Sequence, residues 1–334
     1  MFMPKSSRRT ANPKHKQVQT LPLYILLVAL FALYLFFQAV PFLALVLGLL
    51  LLIVFVLLIV LELAGSVAEE GLTRSALEIA VAIVAVFLLW YGARFLLHTA
   101  YPLDVVPSCS MQPHLNRGDV ILLQGVTNVS QLNAPVVKVS KAAYDQMNSS
   151  ITGEFLACVA YNASSGRVRT SQLLRPGYSI GLYNELTGAI VQPGMQSGNL
   201  VQYTCGADNV TFSNGTTGAE AYTAAVTIAG STIIGDKNDS VVVYQTVPSD
   251  LFYRFGDSYI VHRVYAVINA SGSYYVLTKG DNNPGLDMQY GNYPAGLGQT
   301  QGKVVASVPY LGYIKLIFAE SYTEPAGCNV TMSG

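Results

Sequence analysis

Pro107-Ser108-Cys109-Ser110-Met111-Gln112-Pro113-His114-Leu115-Asn116-Arg117-Gly118-Asp119-Val120 is the stretch at which this chain changes character. Upstream the sequence is almost continuously apolar, and downstream it is rich in Tyr, Asn, Ser and Thr. Within the stretch two serines stand at i and i+2, and a Gly118-Asp119 turn leads into the apolar run Val120–Leu123. The fold therefore reads as a membrane-embedded helical part followed by an outer domain that starts here.

The upstream part begins with a basic tail over 1–17, which carries Lys5, Arg8, Arg9, Lys14 and Lys16 and no acidic residue. The apolar runs Leu23–Val40 and Phe42–Leu61 follow, separated by Pro41. As one helix they would extend about 58 Å, roughly twice the hydrocarbon core of a bilayer, so a turn near Gln38-Ala39-Val40-Pro41 is expected to fold residues 18–62 into a hairpin of two spans. A polar segment, Glu62 to Ser75, precedes a third span over 76–97, where Trp90 and Tyr91 fit an interfacial belt and Arg94 can snorkel to the headgroups. The first run is too long for the apolar core of a cleaved signal peptide. The tail's charge predicts a cytoplasmic N-terminus, and three spans then place residues 98–334 outside the cell membrane. The Asn-x-Ser/Thr sequons agree: all eight, at Asn128, Asn148, Asn162, Asn209, Asn214, Asn238, Asn269 and Asn329, follow the last span.

After residue 100, short β-branched and aromatic runs recur between Gly, Asn, Asp and Pro: Val120–Leu123, Val136–Val139, Thr227–Ile234, Val241–Tyr244, Tyr259–Val261, Val264–Ile268, Tyr274–Thr278 and Lys303–Val308. They predict a mainly antiparallel β-domain. Residues 134–236 carry many sequons and no recognisable chemistry, and read as an insertion decorating the core. A net charge of zero with 11% charged residues offers no basic stripe for nucleic acid. The cysteines, Cys109, Cys158, Cys205 and Cys328, have no CxxC spacing and predict no metal centre. They allow three pairings, Cys158–Cys205 within the central region among them. The apolar run Tyr310–Phe318 is too short to span a membrane and reads as a strand or an interfacial surface segment.

A serine nucleophile needs a base within hydrogen-bond reach, a group that orients that base, and donors aimed at the oxyanion. The outer domain offers His114 and His262 beyond His98 at the membrane edge. His114 reads as a surface residue on the loop after Pro113. His262 follows the strand-like Tyr259-Ile260-Val261, and Gly280-Asp281-Asn282-Asn283-Pro284-Gly285-Leu286-Asp287 closes a later strand.

Taken in order, Ser110-Met111-x-Pro-x-Leu, Gly118-Asp119-Val120, Ile260-Val261-His262-Arg263-Val264, Thr278-Lys279-Gly280-Asp281-Asn282-Asn283 with Asp287, and Gly302-Lys303-Val304 leading to Pro309-x-Leu311-Gly312 resemble the conserved blocks of type I signal peptidases. A histidine rather than a lysine at the base position resembles the archaeal and endoplasmic-reticulum branch. The likeness covers roughly 98–125 and 237–318. It implies a signal-peptidase-like β-rich catalytic domain on transmembrane helices and a serine endopeptidase without cofactor. Its partners would be membrane-tethered preproteins with signal peptides, the bilayer and the secretion channel. By the same resemblance Ser110 is the nucleophile, His262 the general base, Asp287 its orienting carboxylate and Ser108 an oxyanion donor. Asp281 holds the turn and shares the orienting role, and Lys279 is the rival base. Cys109 between the two serines, the long insertion and the extra spans depart from the family pattern. A non-catalytic, membrane-anchored surface glycoprotein that uses such a fold for binding is the alternative, and a peptidase for pilin-like precursors is another.

Overall fold

The computed structural model describes residues 20–37, 40–70, 72–151, 155–162, 173–191, 200–318, 325 and 327–333. The basic tail and the turn residues Gln38 and Ala39 lie outside these. The chain divides into two compact units, Met1–Tyr91 and Gly92–Gly334.

The first unit is helical. Helix α1 (Leu21–Phe37) is followed by α2 (Pro41–Glu70), which starts on the proline that ends the preceding run, a position where the missing N–H costs nothing. Among the described residues, Ala44, Leu47, Val54 and Leu58 are the buried side chains of α2, spaced so that they line one stripe. Tyr24 donates to Glu62 Oε1 at 2.8 Å, which satisfies a carboxylate at the end of the apolar run. Helix α3 (Leu72–Leu97) leaves Val81, Val86, Leu88 and Leu89 exposed. Phe42–Gly65 of α2, 24 residues, and Ser75–Leu97 of α3, 23 residues, are long and apolar enough to cross a membrane. Helix α1 is equally apolar but has 17 residues. The described residues of the polar segment Glu62 to Ser75 are helical, 62–70 in α2 and 72–75 in α3, in keeping with its Glu, Leu and Ala residues, which are strong helix formers.

The second unit is mainly antiparallel β-sheet. Its strands are β1 (Leu103–Val105), β2 (Val120–Gln124), β3 (Val136–Val139), β4 (Leu156–Asn162), β5 (Tyr178–Asn184), β6 (Ala189–Val191), β7 (Val201–Phe212), β8 (Thr217–Ile228), β9 (Ser231–Ile234), β10 (Val241–Gln245), β11 (Tyr259–Ala270), β12 (Ser273–Lys279), β13 (Ala295–Gly296), β14 (Thr300–Val308) and β15 (Val330–Met332). The main sheet runs β1-β2-β14-β10-β11-β12-β13, with β3 added parallel to the far half of β11. Two smaller sheets run β15-β7-β8-β9 and β4-β5-β6.

Three expectations change. The runs Tyr259–Val261 and Val264–Ile268 are one strand, because the intervening His262 and Arg263 are buried with carboxylate partners rather than turned to solvent. Thr227–Ile234 is two strands, joined at Ala229 and Gly230 with φ of 49° and 81°. Tyr310–Phe318 is a turn and a six-residue helix, Tyr313–Phe318.

Residues 134–236 are not mere decoration. Their first strand, β3, joins the main sheet, and a helix over Lys141–Ile151 buries Tyr144 and Met147 beneath it. Val201, Val226, Ile228 and Ile233 share one core with Tyr265, Ile268, Leu277, Leu286 and Met288 of the main sheet and its loops. The disulfide Cys158–Cys205 links β4 to β7, and Cys109–Cys328 links the stretch between β1 and β2 to the segment before β15.

Candidate active site

Ser110 lies on the long connection between the paired strands β1 and β2. Met111 and Leu115, both fully buried, fasten this connection into a core with Ile121, Val241 and Val261. Its far end is closed by Asp119, whose carboxylate accepts from the backbone N–H groups of Asn116 (2.8 Å) and Tyr310 (3.0 Å). Gly118 has φ of 88°, and a Cβ there would stand 2.3 Å from the Tyr313 ring. Gly118→Ala is therefore expected to destabilise the domain by more than about 1 kcal/mol, read as a fall in unfolding temperature, and to lower any activity that depends on Ser110.

The position of Ser110 is set from the other side by the turn after β12. Its carbonyl accepts from the Asn282 N–H at 2.7 Å, and Gly280 approaches so closely that a Cβ would meet that carbonyl at 2.7 Å. The Asn282 side chain donates to Cys109 O (3.2 Å) and Val330 O (2.8 Å) and accepts from Met332 N–H (2.8 Å). With Cys109–Cys328, it ties the serine's loop to β15. Cys109 is thus held beside Ser110, with no free thiol there.

The register of three adjacent strands builds the rest. Val242 of β10 pairs with His262 of β11, and Val264 of β11 pairs with Thr278 of β12. Side chains alternate along a strand, so Tyr244, His262 and Thr278 share one face. All three meet Asp287, which opens the short helix Asp287–Tyr290. His262 Nδ1 lies 2.7 Å from Asp287 Oδ2, and the hydroxyls of Tyr244 and Thr278 donate to the same oxygen at 2.9 and 2.6 Å. Burial, followed by the charge of Asp287, pushes the Tyr244 phenol well above its ordinary range, which keeps it a donor. On the opposite edge of the ring, His262 Nε2 lies 3.0 Å from Ser110 Oγ, and Ser110 Oγ lies 3.1 Å from Ser108 Oγ. Once Nδ1–H is committed to the carboxylate, Nε2 is the acceptor, so the neutral imidazole is in the tautomer that can take a proton from Ser110.

The remaining candidates fall elsewhere. Asp281 does not share the orienting role: Arg263 Nε and Nη2 hold its two oxygens at 2.8 and 2.6 Å, and Arg263 leaves β11 on the face opposite His262. Asp281 keeps the turn in place through that pair. Lys279 pairs in register with Arg263 and lies on the same opposite face, beside a cavity of about 250 Å³. Burial holds its amine below the ordinary lysine range, yet its Nζ donates to Gly280 O at 3.2 Å. His114 is exposed. Thr278 and Asn282 stand in the block Thr278-Lys279-Gly280-Asp281-Asn282-Asn283 without a role assigned to them, and Tyr244 carries no signal of its own, because its approach to Asp287 depends on strand register.

Compared with known proteins, the chain matches no family model and no curated protein.

Proposed function

We propose that this chain is a membrane-bound serine endopeptidase that removes signal peptides from exported preproteins. The observation that carries the reading is the unbroken line from Ser110 Oγ through His262 to Asp287, with spacings of 3.0 and 2.7 Å. The choice of substrate rests on the five ordered sequence blocks that resemble type I signal peptidases.

In this mechanism His262 Nε2 takes the Ser110 proton as Oγ attacks the scissile carbonyl, and Asp287 stabilises the imidazolium so formed. The oxyanion is met by the Ser110 N–H and the Ser108 hydroxyl. The imidazolium then protonates the leaving amine, which frees the mature protein and leaves the signal peptide as an ester on Ser110. Water, deprotonated by His262, hydrolyses that ester and restores the enzyme. No metal or organic cofactor takes part. Small, Ala-like residues one and three positions before the cut are the expected preference.

The proposed topology places the N-terminus in the cytoplasm and residues 98–334 outside. The five cations of the tail support it, as do the eight downstream sequons, none of whose asparagines is buried. Two disulfides are also at home outside a reducing cytosol. Only a dozen or so residues separate Leu97 from Ser110, which suits a substrate whose cleavage site emerges just beyond the bilayer and shares the enzyme's plane.

The test is processing of a radiolabelled secretory precursor by membranes carrying the chain, beside membranes carrying Ser110→Ala. Cleavage by the first alone is the expected result. Equal processing by both would overturn the reading and leave the surface glycoprotein in its place.

A further inference from the structure

We infer that Thr223 and Gln289 are positioning residues for Asp287, and that the inserted region is thereby a working part of the active site. This inference rests on the Ser110–His262–Asp287 reading above.

The side-chain donors to Asp287 all reach Oδ2, while Oδ1 is buried without a partner among the described residues. A carboxylate gripped at one oxygen can still swing about its own bonds. Its aim therefore depends on the backbone turn that carries it. That turn is pinned by the side chain of Gln289, itself only 2% exposed. Gln289 Oε1 accepts from the Leu286 N–H at 2.8 Å, closing the turn across Asp287. The same oxygen accepts from the Thr223 hydroxyl at 2.9 Å, and Nε2 donates to Leu156 O at 2.8 Å. The Thr223 N–H adds a bond to Pro284 O at 2.7 Å.

Leu156 belongs to β4 and Thr223 to β8, so two different sheets of the insertion grip the turn. Cys158–Cys205 ties those sheets together, and Cys158 Sγ sits 3.4 Å from Thr223 Oγ1. Against the turn's end, Gly291 has φ of 75°, and a Cβ there would stand 2.9 Å from the Phe155 ring. An amide bonded on both ends to the insertion, in the turn that presents the acid, transmits any shift of the insertion to the His262 partner. Misplacing a catalytic group by about 1 Å costs on the order of a hundredfold in rate.

The test uses the full chain in detergent with a fluorogenic peptide spanning a precursor cleavage site. Thr223→Val keeps the shape and removes the hydroxyl, and is expected to lower kcat roughly tenfold with KM unchanged. Thr223→Ser, which restores the donor, should recover kcat. A purely structural role would instead lower the unfolding temperature and spare the kcat of the folded fraction. Wild-type kcat in Thr223→Val overturns the inference and leaves the Ser-His reading intact, provided Ser110→Ala is inactive in the same assay. Activity in Ser110→Ala would sink that reading itself. Should Thr223→Val not fold, Gln289→Met decides by the same split between kcat and KM.

Discussion

Ser110→Ala is expected to lower precursor cleavage by about a million-fold, the order seen when one member of a coupled serine triad is removed. The substitution deletes one oxygen and little else. The Ser110 carbonyl keeps its bond to Asn282, and Met111 and Leu115 keep their places in the core, so the unfolding temperature should hold. Ser108 cannot take over, because among the described residues its hydroxyl contacts Ser110 Oγ and not His262. Initial rates on a precursor peptide measure the effect. A residual rate within about a hundredfold of wild type would place the nucleophile elsewhere.

His262→Ala should cost a similar factor, about a million-fold, since the hydroxyl then loses the group that accepts its proton. Lys279→Ala makes the informative comparison. Its depressed amine has the right chemistry for a base, and in some serine hydrolases a lysine fills that place. Geometry decides against it here. Lys279 pairs across the sheet with Arg263 and so leaves β12 on the face away from Ser110 Oγ and Asp287. Most of the cleavage should survive its removal. If Lys279→Ala abolished cleavage and His262→Ala did not, the base would have to be reassigned and the face argument abandoned.

Much of the main sheet could be read from the sequence because its strands are Val-, Ile- and Tyr-rich runs with clear ends. Val136–Val139 and Val241–Tyr244 are examples. The candidate site was legible as a set of residue types, but not as an arrangement. Asp281 and Asp287 stand six positions apart in one Gly-Asn-Pro turn, and composition cannot say which faces the histidine. The answer lies in register: Thr278 and His262 share a face, Lys279 and Arg263 the other, and each aspartate goes with its own side. Residues 134–236 were opaque for a different reason. The long hairpin β7 and β8 is rich in Ala and Thr, and alternation is hard to see where the inward residues are as small as Ala221 and Ala225. Thr223 and Gln289 pass for ordinary polar residues until the fold buries them against each other.

The span of chain between the parts of the site also sets a clock. His262 is 152 residues downstream of Ser110, and Cys328 is 219 downstream of Cys109. At a synthesis rate of about 5 to 20 residues per second, a ribosome needs about 8 to 30 s after Ser110 to deliver His262, and about 10 to 45 s after Cys109 to deliver Cys328, which fastens the loop. Throughout that interval the molecule has a serine and no means of using it. Under the proposed topology the bond at Cys109 waits further, for export and for an oxidant. On the proposed function, each new copy travels beside its precursors as an inert passenger until His262 has joined Ser110 and Cys328 has joined Cys109.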